Sequence, residues 1–276
     1  MKKELKLIKK RSDPQIKHLR QIRDGVTKSY VFCEGVKLIE EYARSGFSLK
    51  TLVCLKTMEG AVENLKRIYH IDNVPVQYVT SEVMDFVSDL ASPPGILAIG
   101  ERPEPSRFEP LPKEKFPLIL VIHQIQLPQN MGALIRTAEA TGVTEVWTTN
   151  RTADPYGPKV LRGSMGSVFR VAIRTGLDLH TALKTLNSQH VHVIGATQEG
   201  KRVYSGISWI RPTALILGSE GSGLSIEETK YMNDTIRIPM LGKVESLNVG
   251  IAAAVCLFEA SKQRRTALKT LKNKVK

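Results

Sequence analysis

The run Leu118-Ile-Leu-Val-Ile122 decides the fold class of this chain. Five consecutive aliphatic residues leave no polar face, which is typical of a strand in a sheet that helices cover on both sides. Further strand patterns follow at Thr144–Thr149, Val191–Thr197 and Ala214–Leu217, with helical patterns between them. The alternation predicts an α/β domain with a mostly parallel sheet.

The other elements of this domain are predicted from apolar periodicity and turn residues. The helices are Met131–Thr141, Pro158–Ser167, Asp178–Gln189, Ile226–Met232 and Leu247–Arg264, and two more strands are Val171–Arg174 and Thr235–Ile238.

A proline-rich stretch, residues 101–117, separates this domain from the first part of the chain. Because proline fixes φ and lacks an N–H, the stretch can continue neither a helix nor a central strand, and it is interpreted as a linker. Residues 1–100 are predicted to form a small α/β domain, in which Ser81 caps the helix Ser81–Val87. Residues 118–265 form the parallel-sheet domain, and residues 266–276 are expected to be a frayed basic tail.

The two ends of the chain carry most of its positive charge. Residues 1–24 hold nine Lys or Arg against three acids, and residues 259–276 hold seven against one, so each end contributes +6 to the net charge of +13. Such ends favour a polyanion, most often nucleic acid, with an anionic membrane surface as the lesser alternative. Neither a secretory h-region nor an apolar run of the roughly 18 residues of a membrane span is present, so we expect a cytoplasmic protein.

The three cysteines, Cys33, Cys54 and Cys256, form no CxxC pair. They predict neither a disulfide framework nor a structural zinc site, and Cys256 is expected to be a small core residue of a helix. The pair His190-Val-His192 has no carboxylate or cysteine at a compatible spacing, and we expect no metal.

Three motifs stand where a predicted strand ends. They are Asn130-Met-Gly-Ala-Leu-Ile-Arg136, Leu217-Gly-Ser-Glu-Gly221, and Ile238-Pro-Met-Leu-Gly242 running into Ser246-Leu-Asn248. Because the carboxyl ends of strands in an open α/β sheet gather ligand-binding groups, these motifs predict one small-molecule site.

The first motif contains one residue that local structure does not explain. Asn130 at a helix start could simply be an N-cap. Arg136 has Leu134, Ile135 and Ala138 around it, all expected to be buried, and a buried guanidinium must be paired or hold an anion. A carboxylate and a phosphate remain equally open as its partner.

The second motif belongs to a glycine-rich turn, Leu217–Ser225. It lies too late in the domain for a dinucleotide fingerprint and lacks the acidic ribose partner, which disfavours a nucleotide-dependent dehydrogenase. A flexible connection is the plain alternative, and Glu220 alone says little.

The third motif precedes a helix with a predicted buried stripe. The stripe consists of Leu247, Ile251, Ala254, Val255 and Phe258. Ser246 stands where an N-cap would, and Asn248 lies in the expected first turn. Pro239 and Gly242 are unusual together directly after a strand, and a ligand pressed against the main chain would explain them.

Taken in order, Asn-x-Gly-Ala-x-x-Arg, Leu-Gly-x-Glu-x-x-Gly-Leu-Ser and Ile-Pro-Met-x-Gly…Ser-Leu-Asn-Val resemble the three motifs of the SpoU/TrmH branch of the SPOUT RNA methyltransferases. The resemblance spans residues 118–265, and residues 1–100 look like the ribosomal-protein-like RNA-binding domain often found before that domain. It implies S-adenosylmethionine-dependent methylation of a ribose 2′-hydroxyl in RNA, a trefoil knot in the parallel-sheet domain, and a homodimer with the site at the subunit interface. The first motif would come from the partner subunit.

The resemblance also implies roles for single residues. The family's catalytic positions correspond to Asn130, Arg136, Glu220, Ser246 and Asn248, and its cofactor-binding positions to Thr197, Leu217, Gly218, Ile238, Met240 and Leu247. Arg136 would grip a phosphate and stabilise the forming alkoxide, or act as the base, and no metal is required. Family members commonly have Asp-Pro before the first motif, where this chain has Leu127-Pro128, which we interpret as a subgroup difference.

Several functions stay open from the sequence. Ribosomal RNA is favoured over tRNA, because a second basic domain can grip structured RNA by shape and phosphate. A non-catalytic RNA-binding or ribosome-assembly protein would be expected to lack Arg136 or Ser246 and Asn248, and this chain has all three. Methylation of a base, as in the tRNA guanine-N1 branch, is disfavoured, because the Asn130…Arg136 motif together with Ser246-Leu-Asn248 favours ribose as the target.

Overall fold

The computed structural model describes residues 7–104 and 116–274. Most of the predicted linker, residues 105–115, and the last two residues of the predicted tail lie outside the described residues. One compact unit holds the described residues up to Glu104 together with Pro155–Phe169, and a second holds the rest.

The first unit contains a four-stranded mixed sheet. Its elements are α1 (Pro14–Arg23), β1 (Tyr30–Glu34), α2 (Val36–Arg44), β2 (Leu49–Cys54), α3 (Glu59–Tyr69), β3 (Val76–Tyr78), α4 (Ser81–Val87) and β4 (Ile96–Glu101). The strand order is β1-β4-β2-β3, with β4 antiparallel to β1 and β2, and β3 parallel to β2. Amphipathic helices cover it, and Ile16, Phe32 and Leu97 lie in the shared core.

Two predictions for this unit change. Ser81 is the first residue of α4 and does not cap it, because the preceding Thr80 is the extended residue, held by its N–H to the carbonyl of Ile8. Pro155–Phe169 groups with this unit rather than with the sheet domain in which its sequence lies. Phe169 packs edge-on against Tyr42 at 5.1 Å between ring centroids.

The second unit is built on seven parallel strands, which confirms the predicted parallel sheet. In chain order the remaining elements are β5 (Leu118–Ile122), α5 (Pro128–Thr141), β6 (Glu145–Thr149), α6 (Pro158–Ser164, in the first unit), β7 (Ala172–Leu177), α7 (Leu179–Ser188), β8 (His192–Ala196), β9 (Arg202–Val203), β10 (Thr213–Leu217), α8 (Ile226–Thr229), β11 (Asp234–Arg237) and α9 (Val249–Lys274). The strand order is β7-β6-β5-β10-β8-β11-β9, and every pairing is parallel.

Helix boundaries differ from prediction where proline or glycine sets them. α5 begins at Pro128, three residues early, because proline suits the first position of a helix. α6 ends at Ser164 because Met165 and Gly166 both have positive φ. α8 also ends earlier than predicted, at Thr229 rather than Met232, although no proline or glycine follows it.

The stripe predicted on the last helix is wrong. Ile251 and Phe258 are 55% and 53% exposed, and the buried face of α9 carries Ala253, Cys256, Leu257 and Ala260. α9 packs against α5, and small side chains allow that close approach, which turns the larger ones outward. The helix also runs on to Lys274 where a frayed tail was expected, since residues 265–274 are mostly good helix formers.

Burial of Cys256 confirms its place in the core, and it raises the pKa of the thiol to about 12. Within the described part of the chain, no helix combines the length and apolar character needed to cross a membrane.

Candidate functional site

The three predicted motifs meet at the carboxyl edge of the seven-stranded sheet. Leu217, the last residue of β10, pairs with Ile122 at the end of β5 and with Ala196 at the end of β8. Ala196 pairs in turn with Ile236 near the end of β11. Because these four strands end at one level, the segments that follow them are brought together by the register of the sheet.

A chain of hydrogen bonds joins one residue from each motif. The side-chain amide of Asn130 donates to Glu220 Oε1 at 3.1 Å, and Asn130 Oδ1 accepts from the amide of Asn248 at 3.0 Å. Asn248 Oδ1 accepts from the backbone N–H of Gly250 at 2.9 Å. Each amide therefore has its orientation fixed by its neighbours, and all the partners belong to one chain. Asn130 is thus bonded to the other two motifs of its own chain, and a contribution of the first motif to the site of a partner subunit stays a prediction.

Glu220 is held as an anion by hydrogen bonds. Its carboxylate also accepts from the backbone N–H groups of Gln126 at 3.2 Å and Leu127 at 3.1 Å. Burial alone would raise the pKa of Glu220, but the bonds from Asn130, Leu127 and Gln126 outweigh it and lower the pKa. The carboxylate thus fixes the segment that enters α5.

Two capping predictions at the site are corrected. Asn130 is the third residue of α5 and not its cap, because the helix already begins at Pro128. α9 begins at Val249, so Asn248 rather than Ser246 precedes it, and Asn248 bonds the N–H of Gly250 as an N-cap does. Ser246 is exposed and free of any capping role.

Arg136 is exposed, which corrects the expectation of a buried guanidinium. Leu134, Ile135 and Ala138 are buried as predicted, so Arg136 lies on the opposite side of α5 from them. Within the described residues it makes no hydrogen bond or ion pair. A Cβ placed on Gly250 would lie 3.6 Å from Ala133 Cβ, which puts the start of α9 against the face of α5 that Ala133 and Arg136 share.

The remaining predicted positions form a cradle of main chain. Leu217 and Gly218 are buried, while Thr197, Ile238, Met240 and Leu247 are half-buried. Gly218 must be glycine, since a Cβ would lie 2.2 Å from the backbone of Gly223, to which the turn folds back. In the part of the chain that the structure describes, residues 239–247 make no hydrogen bond with other protein groups. Their N–H and C=O groups are available to a ligand.

A polar network next to this edge was missed at the sequence level, where His123 had no assigned role. The buried ring of His123 lies between Thr149 Oγ1 and Glu228 Oε1, both at 2.9 Å. Burial would raise the pKa of Glu228, but its bonds from Ser225 and the neighbouring His123 lower it. Glu228 also closes a capping box with Ser225, and the Ser-x-x-Glu spacing was the signal that could have identified it.

No group of three or more His, Cys, Asp or Glu within the described residues is arranged to hold a metal ion. His192 lies partly buried, and desolvation lowers its pKa, with nearby Arg211 acting in the same direction.

Two family matches together cover most of the chain. Residues 117–258 match the SpoU rRNA Methylase family, and residues 13–98 match the MRM3-like substrate binding domain.

Similar proteins agree with these matches. An uncharacterized tRNA/rRNA methyltransferase of Synechocystis sp. is 30% identical over 92% of this chain and 91% of its own length. The tRNA (guanosine(18)-2′-O)-methyltransferase of Thermus thermophilus is 37% identical over 58% of this chain and 83% of its own length. The crystal structure of an AdoMet-bound rRNA methyltransferase from Sinorhizobium meliloti has a TM-score of 0.81 and 26% identity, covering 93% of this chain and 97% of that one.

Proposed function

Because this chain belongs to the SpoU rRNA methylase family, we propose that it transfers the methyl group of S-adenosylmethionine to the 2′-hydroxyl of a ribose in RNA. The observation that carries the proposal is the hydrogen-bonded chain Glu220–Asn130–Asn248, which unites the three motifs of the second unit at one sheet edge. The homologous proteins described above are named as methyltransferases of tRNA, of rRNA or of both.

The cofactor fits the main-chain cradle. Unpaired N–H and C=O groups of residues 239–247 can recognise the edge of an adenine, and the segments after β8, β10 and β11 can enclose the rest of the molecule. The residues assigned to it are Thr197, Leu217, Gly218, Ile238, Met240 and Leu247. When bound, S-adenosylmethionine supplies an electrophilic methyl group on a sulfonium.

Asn130, Asn248 and Glu220 position the reacting groups. Methyl transfer needs the ribose hydroxyl in line with the methyl group, so a fixed geometry contributes much of the rate. Glu220 already accepts three hydrogen bonds and its pKa is lowered, which makes it a poor base. It acts through Asn130 and the start of α5. Ser246, two residues before Asn248, is exposed and free to contact substrate.

Arg136 is the group that meets the negative charge of the substrate. A guanidinium is positively charged in proteins, so Arg136 binds the phosphate next to the target ribose and stabilises the alkoxide that forms. Its exposure on α5, free of any protein partner in the described residues, leaves all its donors for that purpose.

The site is completed in a homodimer. Ile251 and Phe258 form, with the half-buried Ala254 and Val255, an apolar strip on α9 that an isolated chain leaves open to water. Pairing of two such strips would bury it and bring Arg136 of one subunit to the cradle of the other. We also propose that the parallel-sheet domain contains the trefoil knot that the family resemblance implies.

Ribosomal RNA is the favoured substrate. The first unit matches a substrate-binding domain, and the basic residues 1–24 lie in the same part of the sequence. A second basic domain suits structured RNA, which is read by shape and phosphate. We propose residues 1–100 as the RNA-binding domain, residues 118–265 as the methyltransferase domain, and the cytoplasm as the place of action.

The direct test is a map of 2′-O-methylated nucleotides in total RNA from cells with and without the gene. One or more ribose methylations that disappear with the gene and return on complementation support the proposal. Their position in rRNA or tRNA decides between the two substrates, and an unchanged map contradicts the proposal.

Arg136→Ala should abolish methyl transfer by the purified protein while the Kd for S-adenosylmethionine stays within twofold of wild type. Loss of one donor to a developing oxyanion lowers kcat by about 100-fold or more. Arg136→Lys is the matched control, because it keeps the charge but not the bidentate fork, and should recover only part of the activity. Full turnover by Arg136→Ala would rule out its assigned role.

A further inference from the structure

A second concave site lies on the same sheet edge, a cavity of about 370 Å³ within the second unit. Its walls come from the residues that follow β5, β6 and β7, from the first turns of α7, and from α8 and the residues just after it. His123 lines it, while Gln126 and Leu127, three and four residues later, hold Glu220. The cavity therefore adjoins the proposed methyl-transfer site along the chain, yet contains none of the residues assigned to that site.

One wall of the cavity offers an aromatic face. Tyr231 is 50% exposed, and the ring of His180 meets it edge-on at 4.6 Å between centroids. Leu177 and Leu183 add apolar surface to the lining. A half-exposed tyrosine held from one side by a second ring is suited to stack with a flat aromatic ligand.

The polar lining is acidic. Asp178, Glu227 and Glu228 contribute carboxylates, and Arg151 contributes the one guanidinium among the lining residues. The lowered pKa of Glu228 keeps it an acceptor at neutral pH, and Asp178 is fixed by the N–H of Thr181 at 2.9 Å. Glu227 Oε1 is paired with Lys230 Nζ at 2.6 Å, but each carboxylate keeps lone pairs that can accept the N–H groups of an uncharged ring. Carboxylates at this position disfavour a phosphate.

Two lining residues hold backbone conformations that side-chain-bearing residues rarely adopt. Gln124 and Arg151, which follow β5 and β6, have φ of 55° and 60°. The N–H of Gln124 is held by Thr149 Oγ1 at 3.3 Å and Thr152 Oγ1 at 3.0 Å. Strain maintained by neighbouring contacts in this way is typical of functional sites.

We propose that this cavity receives an unpaired nucleobase of the RNA substrate, stacked on Tyr231 and hydrogen-bonded through its N–H groups to the carboxylates. The inference rests on the proposed function and adds a base-reading pocket to it. Sequence-specific proteins read RNA in this way, by splaying out a base from a single-stranded segment. The charged backbone stays outside, where the acidic lining does not oppose it.

The test compares steady-state methyl transfer by full-length variants on total RNA from cells that lack the gene. Tyr231→Ala removes the stacking surface, and Asn150→Trp fills the cavity from an exposed rim position. Stacking of one base on an aromatic side chain corresponds to roughly a 5- to 100-fold change in KM for RNA. Both variants should show a change in that range, with KM for S-adenosylmethionine unchanged. Tyr231→Phe, which keeps the ring, should resemble wild type.

Ser188→Trp is the matched control, since it adds the same indole at the exposed far end of α7 without a change of charge. Guanosine, adenosine, cytidine and uridine, each at millimolar concentration, then serve as competitors. Inhibition of wild type by one of them, lost in Asn150→Trp, identifies the base.

The outcomes separate the two levels of the proposal. Wild-type protein that methylates no RNA contradicts the proposed function itself. If the wild type is active, but Tyr231→Ala and Asn150→Trp both have a KM for RNA within twofold of wild type, the pocket alone is ruled out. The pocket is also ruled out if Ser188→Trp changes KM for RNA as much as Asn150→Trp does. It is ruled out as well if the variants lose binding of a basic protein partner while their RNA kinetics stay unchanged.

Discussion

At the scale of single residues, Glu220 shows how a loop carboxylate can fix the start of a helix, here α5. Its carboxylate accepts from two backbone N–H groups ahead of α5 and from the side chain of Asn130 inside that helix. Because these bonds lower the pKa of Glu220, the arrangement is complete at neutral pH and is lost as pH falls through the lowered value. Acid should therefore loosen the start of α5 before it unfolds the sheet.

Glu220→Gln should lower kcat by about 10- to 100-fold, because it replaces an acceptor oxygen with an N–H₂ that faces other donors. KM for S-adenosylmethionine should stay unchanged, and the acidic limb of the kcat–pH profile should shift. Glu63→Gln, which neutralises an exposed carboxylate in the first unit, provides the comparison. Equal kcat for wild type and Glu220→Gln at every pH would show that Glu220 has no role in the reaction.

Residue types at the site followed from the sequence, but their surroundings did not. Asn130 was interpreted as a cap because asparagine favours that position, whereas Pro128 was the stronger signal for the helix start. Arg136 was expected to be buried because its neighbours are apolar, yet a position two before Ala138 and one after Ile135 faces away from both. Exposure on a helix depends on its phase, and a neighbour count along the sequence does not give that phase.

At the scale of elements, α9 is fastened at both ends of its packed region. Asn248 caps its start, and Arg264 donates to the carbonyls of Phe116, Pro117, Trp209 and Arg211. Arg264 thus ties the helix to the chain just ahead of β5 and to the segment before β10. These bonds join residues more than fifty positions apart, so local sequence could not predict them.

Arg264→Met should destabilise the protein by about 3 kcal/mol, because buried carbonyls would lose their donors. The midpoint of urea unfolding, followed by circular dichroism, measures the loss. Arg265→Met removes the neighbouring but exposed guanidinium and should cost less than about 0.5 kcal/mol. Equal midpoints for the two variants would show that the buried bonds contribute nothing net.

At the scale of the whole molecule, the parallel sheet was predictable and the grouping of segments was not. Uninterrupted apolar strands such as β5 require cover on both faces, which fixes the fold class. Pro155–Phe169 groups with the first unit although the sequence family match extends through it. The periodicity of this segment predicts its helix correctly, but where the segment packs depends on distant residues such as Tyr42, which contacts Phe169.

Phe258→Glu should convert the proposed dimer to a monomer with little effect on folding, because the side chain is 53% exposed in the single chain. Sedimentation velocity measures the change, and methyl transfer should fall with it. Val26→Glu, at a 72% exposed apolar position of the first unit, is the control and should leave the mass unchanged. A wild-type protein that sediments as a monomer would contradict the proposed assembly.

Mixing two proteins with impaired activity can show which subunit contributes Arg136 to each site. If Arg136 serves the Glu220 of the other subunit, a heterodimer of Arg136→Ala and Glu220→Gln has one site with both changes and one with neither. Random exchange makes half of the dimers mixed, so the mixture should recover about a quarter of wild-type activity. If both residues serve their own chain's site, each site keeps one defect and mixing recovers nothing. Since Glu220, Asn130 and Asn248 are already bonded within one chain, the result assigns Arg136 alone to one subunit or the other.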